Sequence, residues 1–207
     1  MEKICKNCQY NYLSGEILTL MEKQFVFFMN ERLEYVYFIN EGYIKMVRYL
    51  ENGDEKIIGI MGPGDYIALL ACLQNKDQYL ATAESLTRVI IKRIPVKKIL
   101  ESYQSNEFFR ESCLNCAVTR SNQFQNYLVQ SASLQSKDKI INTFNSLFEK
   151  FGYVYDNQHI LELPFSKTVL ANLVGIKRET LSRNLAQLQA ENIIKFEKNT
   201  YILNYVI

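Results

Sequence analysis

The stretch from Ser166 to Asn192, SKTVLANLVGIKRETLSRNLAQLQAEN, decides the fold of the chain around it. Ser166 is suited to cap a helix, and Val169, Leu170 and Leu173 give that helix a buried face at helical spacing. Gly175 supplies a turn that a side chain would obstruct. A second helix follows at once. Leu181, Leu185 and Leu188 repeat at the four-and-three spacing that seats it on a core, so Arg178, Glu179, Ser182 and Arg183 point outward together near its N-terminal end. Arginine can bond guanine O6 and N7 with two parallel donors, glutamate accepts from the cytosine amino group, and serine bonds a base edge or a phosphate. Ser166, Lys167, Thr168, Lys177 and Thr180 flank these four and complete the set of side chains expected at DNA.

Downstream, Ile193, Ile194 and Phe196, a turn over 197–199, and then Tyr201, Ile202 and Leu203 read as a two-stranded wing packed behind the helix pair. A helical hairpin with a merely solvated charged face is the plainer alternative, and the wing counts against it. The pattern predicts a winged helix-turn-helix that binds double-stranded DNA.

The run VGIKRETLSRNLAQLQAENII, followed by a short hairpin, closely resembles the DNA-binding domain of the CRP/FNR family of bacterial transcription regulators. The similarity continues upstream through nearly the whole chain. It implies that Arg178, Glu179, Ser182 and Arg183 touch operator bases and phosphates. The cyclic-AMP-receptor branch favours Arg-Glu-Thr at this helix start and the oxygen-sensing branch favours Glu-x-x-Ser-Arg; both are present. The resemblance implies an inverted-repeat operator bound by a homodimer, with RNA polymerase as a further partner.

Composition sets outer bounds. The chain has 207 residues, enough for one large or two modest domains, and a net charge of only +2. That is far from the basic balance of proteins that coat nucleic acid without sequence preference. From Leu134 onward there are nine Lys and Arg against seven Asp and Glu, so a single copy offers few phosphate contacts and tight binding calls for a dimer. No apolar run approaches a membrane span, and MEKICKNCQYNYLSGE lacks a signal-peptide core; the expected location is the cytoplasm, with no membrane partner. The five cysteines are then expected as reduced thiols, metal ligands or redox switches.

Between Gly15 and about Ile99, short runs rich in Val, Ile, Tyr and Phe are broken by turn residues. The clearest strands are 25–28, 35–39, 43–49, 56–60 and 88–94, with turns at Asn52-Gly53, Gly62-Pro63-Gly64-Asp65 and Gly42. The expectation is an antiparallel β-roll or jelly roll, making the whole an α+β protein. A metal enzyme built on such a roll needs several histidines inside it, and the only one in the chain is His159, beyond the roll. No Ser, Cys or Thr has an evident catalytic partner, so no enzyme is expected. In relatives that bind cyclic AMP, a Gly-Glu pair and a later Arg-Ser or Arg-Thr hold the cyclic phosphate. Gly64-Asp65 falls where the first pair stands and Tyr79-Leu80 where the second stands, so cyclic AMP is not expected to bind.

From Glu101 to about Gln130 the pattern is helical, and Leu114, Ala117, Ser121, Phe124 and Leu128 form a seam at coiled-coil spacing. A helix packed on its own domain is the alternative to a dimer seam; a palindromic operator, needing two reading heads a fixed distance apart, favours the seam. Leu134 to Lys139 reads as a hinge capped by Ser133 or Ser136, followed by an amphipathic helix with Ile140, Phe144, Leu147 and Phe148 that ends near Gly152. Residues 153–163 read as a short extended segment. The domains expected are 1–100 for the roll with a short arm, 101–133 for the dimer helix and hinge, and 134–207 for the winged helix-turn-helix.

Cys5 and Cys8, and Cys113 and Cys116, are two pairs at metal-ligand spacing. Together they could close a four-thiolate site for an iron-sulfur cluster or zinc, form a thiol-disulfide switch, or be inert small apolar residues. The oxygen-sensing branch takes one cluster ligand from the roll just before Ile94-Pro95, where this chain has Lys92. The expectation is a transcription regulator of this family, with redox or oxygen response as its candidate signal. The competing expectation is a β-roll module that binds a ligand or a protein and not DNA.

Overall fold

A computed structural model describes residues 13–51, 53, 55–131 and 135–204. The chain forms two compact units that divide between Gln123 and Phe124. Cys5, Cys8, Ser133, and Asn52 of the Asn52-Gly53 turn lie outside the described residues.

The first unit is a roll of two four-stranded antiparallel sheets. One has the order β1 (Glu16–Leu20), β8 (Val89–Pro95), β3 (Tyr35–Glu41), β6 (Tyr66–Ile67); the other has β2 (Phe25–Phe27), β7 (Thr82–Ser85), β4 (Ile44–Tyr49), β5 (Glu55–Met61). β3 and β8 lie side by side within their sheet, with Val36 opposite Ile94 and Ile39 opposite Ile91, and all four are completely buried. Branched residues at paired positions fill a pleated, water-free layer, which is why these runs choose strand. Gly42 sits at φ 79°, and a Cβ there would lie 2.2 Å from the Arg88 carbonyl oxygen, so this turn requires glycine.

Aromatic rings fill the space between the sheets. Phe27 of β2 stacks on Tyr79 at 3.8 Å between centroids and faces Tyr37 of β3 at 5.5 Å. The Tyr79 hydroxyl donates to the Tyr35 carbonyl oxygen at 2.9 Å and accepts from the Tyr35 N–H at 3.3 Å. The buried Lys45 of β4 donates to Glu55 at 2.7 Å and lies 3.1 Å from Glu84, pinning β5 and β7 to the strand between them.

Four short stretches of the roll were not named in advance as regular structure: β1, β6, β7 and α1 (Leu69–Leu73). The helix expected from Glu101 begins earlier and is broken. α2 runs Val96–Ser105, directly after Pro95, and α3 runs Glu107–Ser131. Asn106 between them is extended, and its side chain accepts the Phe109 N–H at 2.9 Å, which starts a new helix instead of continuing the old one. The inner face of α3 carries Phe109, Ser112, Cys113 and Cys116, all buried, and Arg120, which donates to the Tyr66 carbonyl oxygen at 3.1 Å.

The second unit contains α4 (Ser136–Phe151), β9 (Gly152–Tyr155), β10 (Gln158–Glu162), α5 (Lys167–Val174), α6 (Arg178–Ala190), β11 (Ile194–Glu197) and β12 (Thr200–Leu203). Ser136 is the first residue of α4 and not its cap, which is Gln135. The sheet has four strands, ordered β11-β12-β10-β9, and not two. The expected extended segment folds into the β9–β10 hairpin because Asp156 and Asn157 take φ 48° and 57°, the left-handed pair that a tight hairpin demands. Ile140, Phe144, Leu161, Leu170, Leu181, Leu185 and Leu188 are completely buried and form the core with Tyr201, whose ring lies 4.9 Å from that of Phe144.

Candidate nucleic-acid interface

α5 starts where the Ser166 hydroxyl accepts the Val169 N–H at 3.4 Å and ends where Gly175 turns left-handed at φ 80°. The N–H groups of Gly175 and Ile176 both donate to the Ala171 carbonyl, at 2.9 and 3.0 Å, closing the helix end and swinging the chain into α6. Leu170, Ala171 and Val174 form the buried face of α5; Val169 and Leu173 are only half-buried. Lys177 is extended and precedes the first turn of α6.

With Leu181, Leu185 and Leu188 at zero exposure, the opposite side of α6 is fixed outward. Arg178, Glu179, Ser182 and Arg183 are all exposed, as are Lys177 and Thr168. Among the described residues none of Arg178, Glu179 and Arg183 is in an ion pair, although Glu179 and Arg183 stand one turn apart. Glu179 in the first turn suits the positive end of the helix, and the first-turn N–H groups have no acceptor within the helix.

Three members of the expected set are placed less freely. Ser166 caps α5. Lys167 holds its ammonium 4.3 Å over the Phe196 ring, tying the start of α5 to β11. Thr180 is half-buried, and its carbonyl accepts from the Asn184 side chain at 2.8 Å. Sequence reasoning missed Lys195 and Lys198, exposed on the hairpin of β11 and β12, with Lys198 at φ 54° in its turn. One lysine just before the predicted turn and one within it were the available signal.

On α3, Leu114, Val118 and Phe124 are 63%, 50% and 60% exposed, Ser121 is exposed and Ala117 half-buried. Val118 was not in the expected seam; the side chain of Leu128 lies outside the described residues.

The described cysteines face the opposite way. Cys72, Cys113 and Cys116 are buried. Burial pushes the Cys113 thiol up to about 12, with Cys116 and Cys72 nearby adding to the shift, and burial alone pushes Cys72 up to about 11. A thiol held this firmly protonated is a poor ligand and a poor nucleophile. Among the described residues no group of three or more His, Cys, Asp or Glu is placed to hold a metal, and Cys5 and Cys8, the other half of the expected set, lie outside them. His159 is half-buried with its ring edge-on to Phe148 at 5.4 Å, a packing role. Gly64 and Asp65 form a turn in which the Asp65 carboxylate accepts the Gly62 N–H at 2.9 Å, while Tyr79 is buried and Leu80 exposed. No helix among the described residues is long and apolar enough to cross a membrane.

A β-roll followed by a helix with an outward apolar row, and a winged helix-turn-helix with free polar tips, define a class of DNA-binding regulators. Residues 17–106 match the cyclic nucleotide-binding domain family and residues 139–205 the Crp-like helix-turn-helix domain family. The global nitrogen regulator of Nostoc sp. PCC 7120 is 22% identical over 87% of this chain and 81% of its own length. The regulatory protein HlyX of Actinobacillus pleuropneumoniae is 20% identical over 89% of this chain and 76% of its own. FixK2 from Bradyrhizobium japonicum shares the fold with a TM-score of 0.82 at 16% identity, over 93% of this chain and 94% of that one. The chain belongs to the CRP/FNR family of transcription regulators and is a DNA-binding regulator of that type.

Proposed function

We propose that the chain reads an inverted-repeat DNA duplex as a homodimer, placing Arg178, Glu179, Ser182 and Arg183 at base edges. The observation that carries this is the outward, unpaired state of the charged tips on the side of α6 opposite Leu181, Leu185 and Leu188. Lys177, Thr168, Lys195 and Lys198 serve as phosphate contacts, and the first turn of α6 offers peptide N–H groups to a phosphate. Ser166, Lys167 and Thr180 act mainly by holding the helix pair and wing in register. The apolar row of α3 supports the dimer, since a palindromic site needs two heads about one helical turn apart.

The protein works in the cytoplasm beside RNA polymerase. Cyclic AMP is not its effector: the positions that would hold the phosphate are a buried tyrosine and an exposed leucine, and neither replaces a guanidinium. Cys113 and Cys116 serve as core residues and not as cluster ligands.

The test is selection of bound sequences from a random duplex pool, followed by a salt titration on the selected site. A dimer neutralising about six phosphates gives a log K against log salt slope near −5. A selected motif with two symmetric halves and this slope supports the reading. Failure to select any motif, or a flat salt response, overturns it in favour of a module that docks protein.

A further inference from the structure

At the end of the first sheet, where β1, β3 and β8 meet the start of α2, the roll has a hollow of about 460 Å³. Ser14, Glu16, Tyr35, Arg93 and Lys98 give it its polar lining. None of Phe27, Tyr37 and Tyr79 of the aromatic stack lines it. The Arg93 guanidinium lies 4.4 Å over the Tyr35 ring and donates to the Glu16 carboxylate at 2.5 Å, while its Nε is buried without a hydrogen-bond partner. Lys98 donates to the Ser14 hydroxyl at 2.6 Å and to the Ser14 carbonyl at 3.2 Å, and among the described residues it has no carboxylate partner.

The rim is held firmly. A Cβ at Gly15 would lie 2.4 Å from the Arg93 carbonyl oxygen, so the backbone carrying Ser14 is drawn tight against β8. Two cations therefore face one carboxylate across a hollow of metabolite size, and among the described residues one of the cations has no carboxylate partner.

We propose that this hollow binds the oxyanion group of a small metabolite, a phosphate or a carboxylate. Lys98 and the Ser14 hydroxyl hold the anion, and the Arg93 fork turns to it from Glu16, which competes for the same donors. A planar guanidinium stacked on Tyr35 is already oriented for two parallel bonds, so little freedom is lost on binding.

The test is calorimetry on the full chain in a zwitterionic buffer at low salt, with inorganic phosphate and with succinate as probes. Binding of phosphate alone assigns a phosphate ligand, and binding of succinate alone a carboxylate. Lys98→Ala should weaken the bound probe by about fivefold or more, the scale of a charge-assisted contact at a partly exposed site. Glu16→Gln should tighten it by removing the competing carboxylate. Lys97→Ala, one position along α2 with Glu101 as its partner at 3.9 Å, should leave it unchanged. Melting curves establish that each variant is folded. Absence of heat with both probes, equal weakening by Lys97→Ala and Lys98→Ala, or weaker binding after Glu16→Gln overturns the proposal.

Discussion

Glu179 and Arg183 are a carboxylate and a guanidinium one turn apart on α6 that do not pair with each other. Tips left free in this way can each meet a base. Glu179→Ala and Arg183→Ala should each weaken operator binding by about 1–3 kcal/mol and relax the base preference at one position of each half-site. Fluorescence anisotropy against the selected duplex and its single-base variants measures both effects, and sedimentation should show an unchanged mass. Cys113 makes the opposite case, a reactive residue type silenced by its surroundings. In a Cys5→Ser/Cys8→Ser variant, the remaining thiols should react with Ellman's reagent at pH 8 only after guanidinium is added; rapid reaction of the folded protein would return them to candidacy as a switch. The neutral thiol is the form that the core favours. Its contribution to stability is therefore complete below about pH 9, the ordinary thiol value, and is lost as pH rises towards about 12. Urea melts across that range should show the fall.

α3 has two faces with opposite duties. Phe109, Cys113, Cys116 and Arg120 fasten it to the roll, while Leu114 and Val118 project away. Leu114→Asp should convert the dimer to a monomer in sedimentation equilibrium while changing the stability of the subunit by no more than about 0.5 kcal/mol, as expected of a side chain exposed in the single subunit. A dimer that persists would remove this row from the interface. The regular spacing of Leu114 and Phe124 marked an outward apolar row, whereas the inner face was not legible. Spacing left Cys113 and Cys116 open as metal ligands, a redox pair or small core residues, and Phe109 and Arg120 show that they lie on the inside of the helix. The break at Asn106 was equally hidden, since nothing but the side-chain bond to Phe109 N–H separates a cap from an ordinary helical asparagine. The helix pair was legible because the Ser166 cap of α5, the Gly175 turn and the leucine row of α6 all agree. The β9–β10 hairpin was missed because its turn is Asp-Asn instead of the stronger Asn-Gly, and β1 because Ile17 and Leu18 stand side by side and break the two-residue alternation of a half-buried strand.

Across the whole molecule, each unit has its own core and the surplus positive charge is small. Specific contacts and the doubling of the reading head therefore carry affinity where bulk attraction cannot. The filled roll has a further meaning. Tyr79 and Phe27 are both buried and stack at 3.8 Å, so their rings fill the space between the sheets there. Tyr79→Ala should lower stability by about 3–5 kcal/mol, the loss seen when a large buried ring is deleted. Phenol added to that variant should raise its melting temperature while leaving the parent protein unmoved, and cyclic AMP should move neither. An apolar void of this kind accepts a small aromatic molecule. One substitution would turn a sealed scaffold into an artificial receptor answering to a solvent additive.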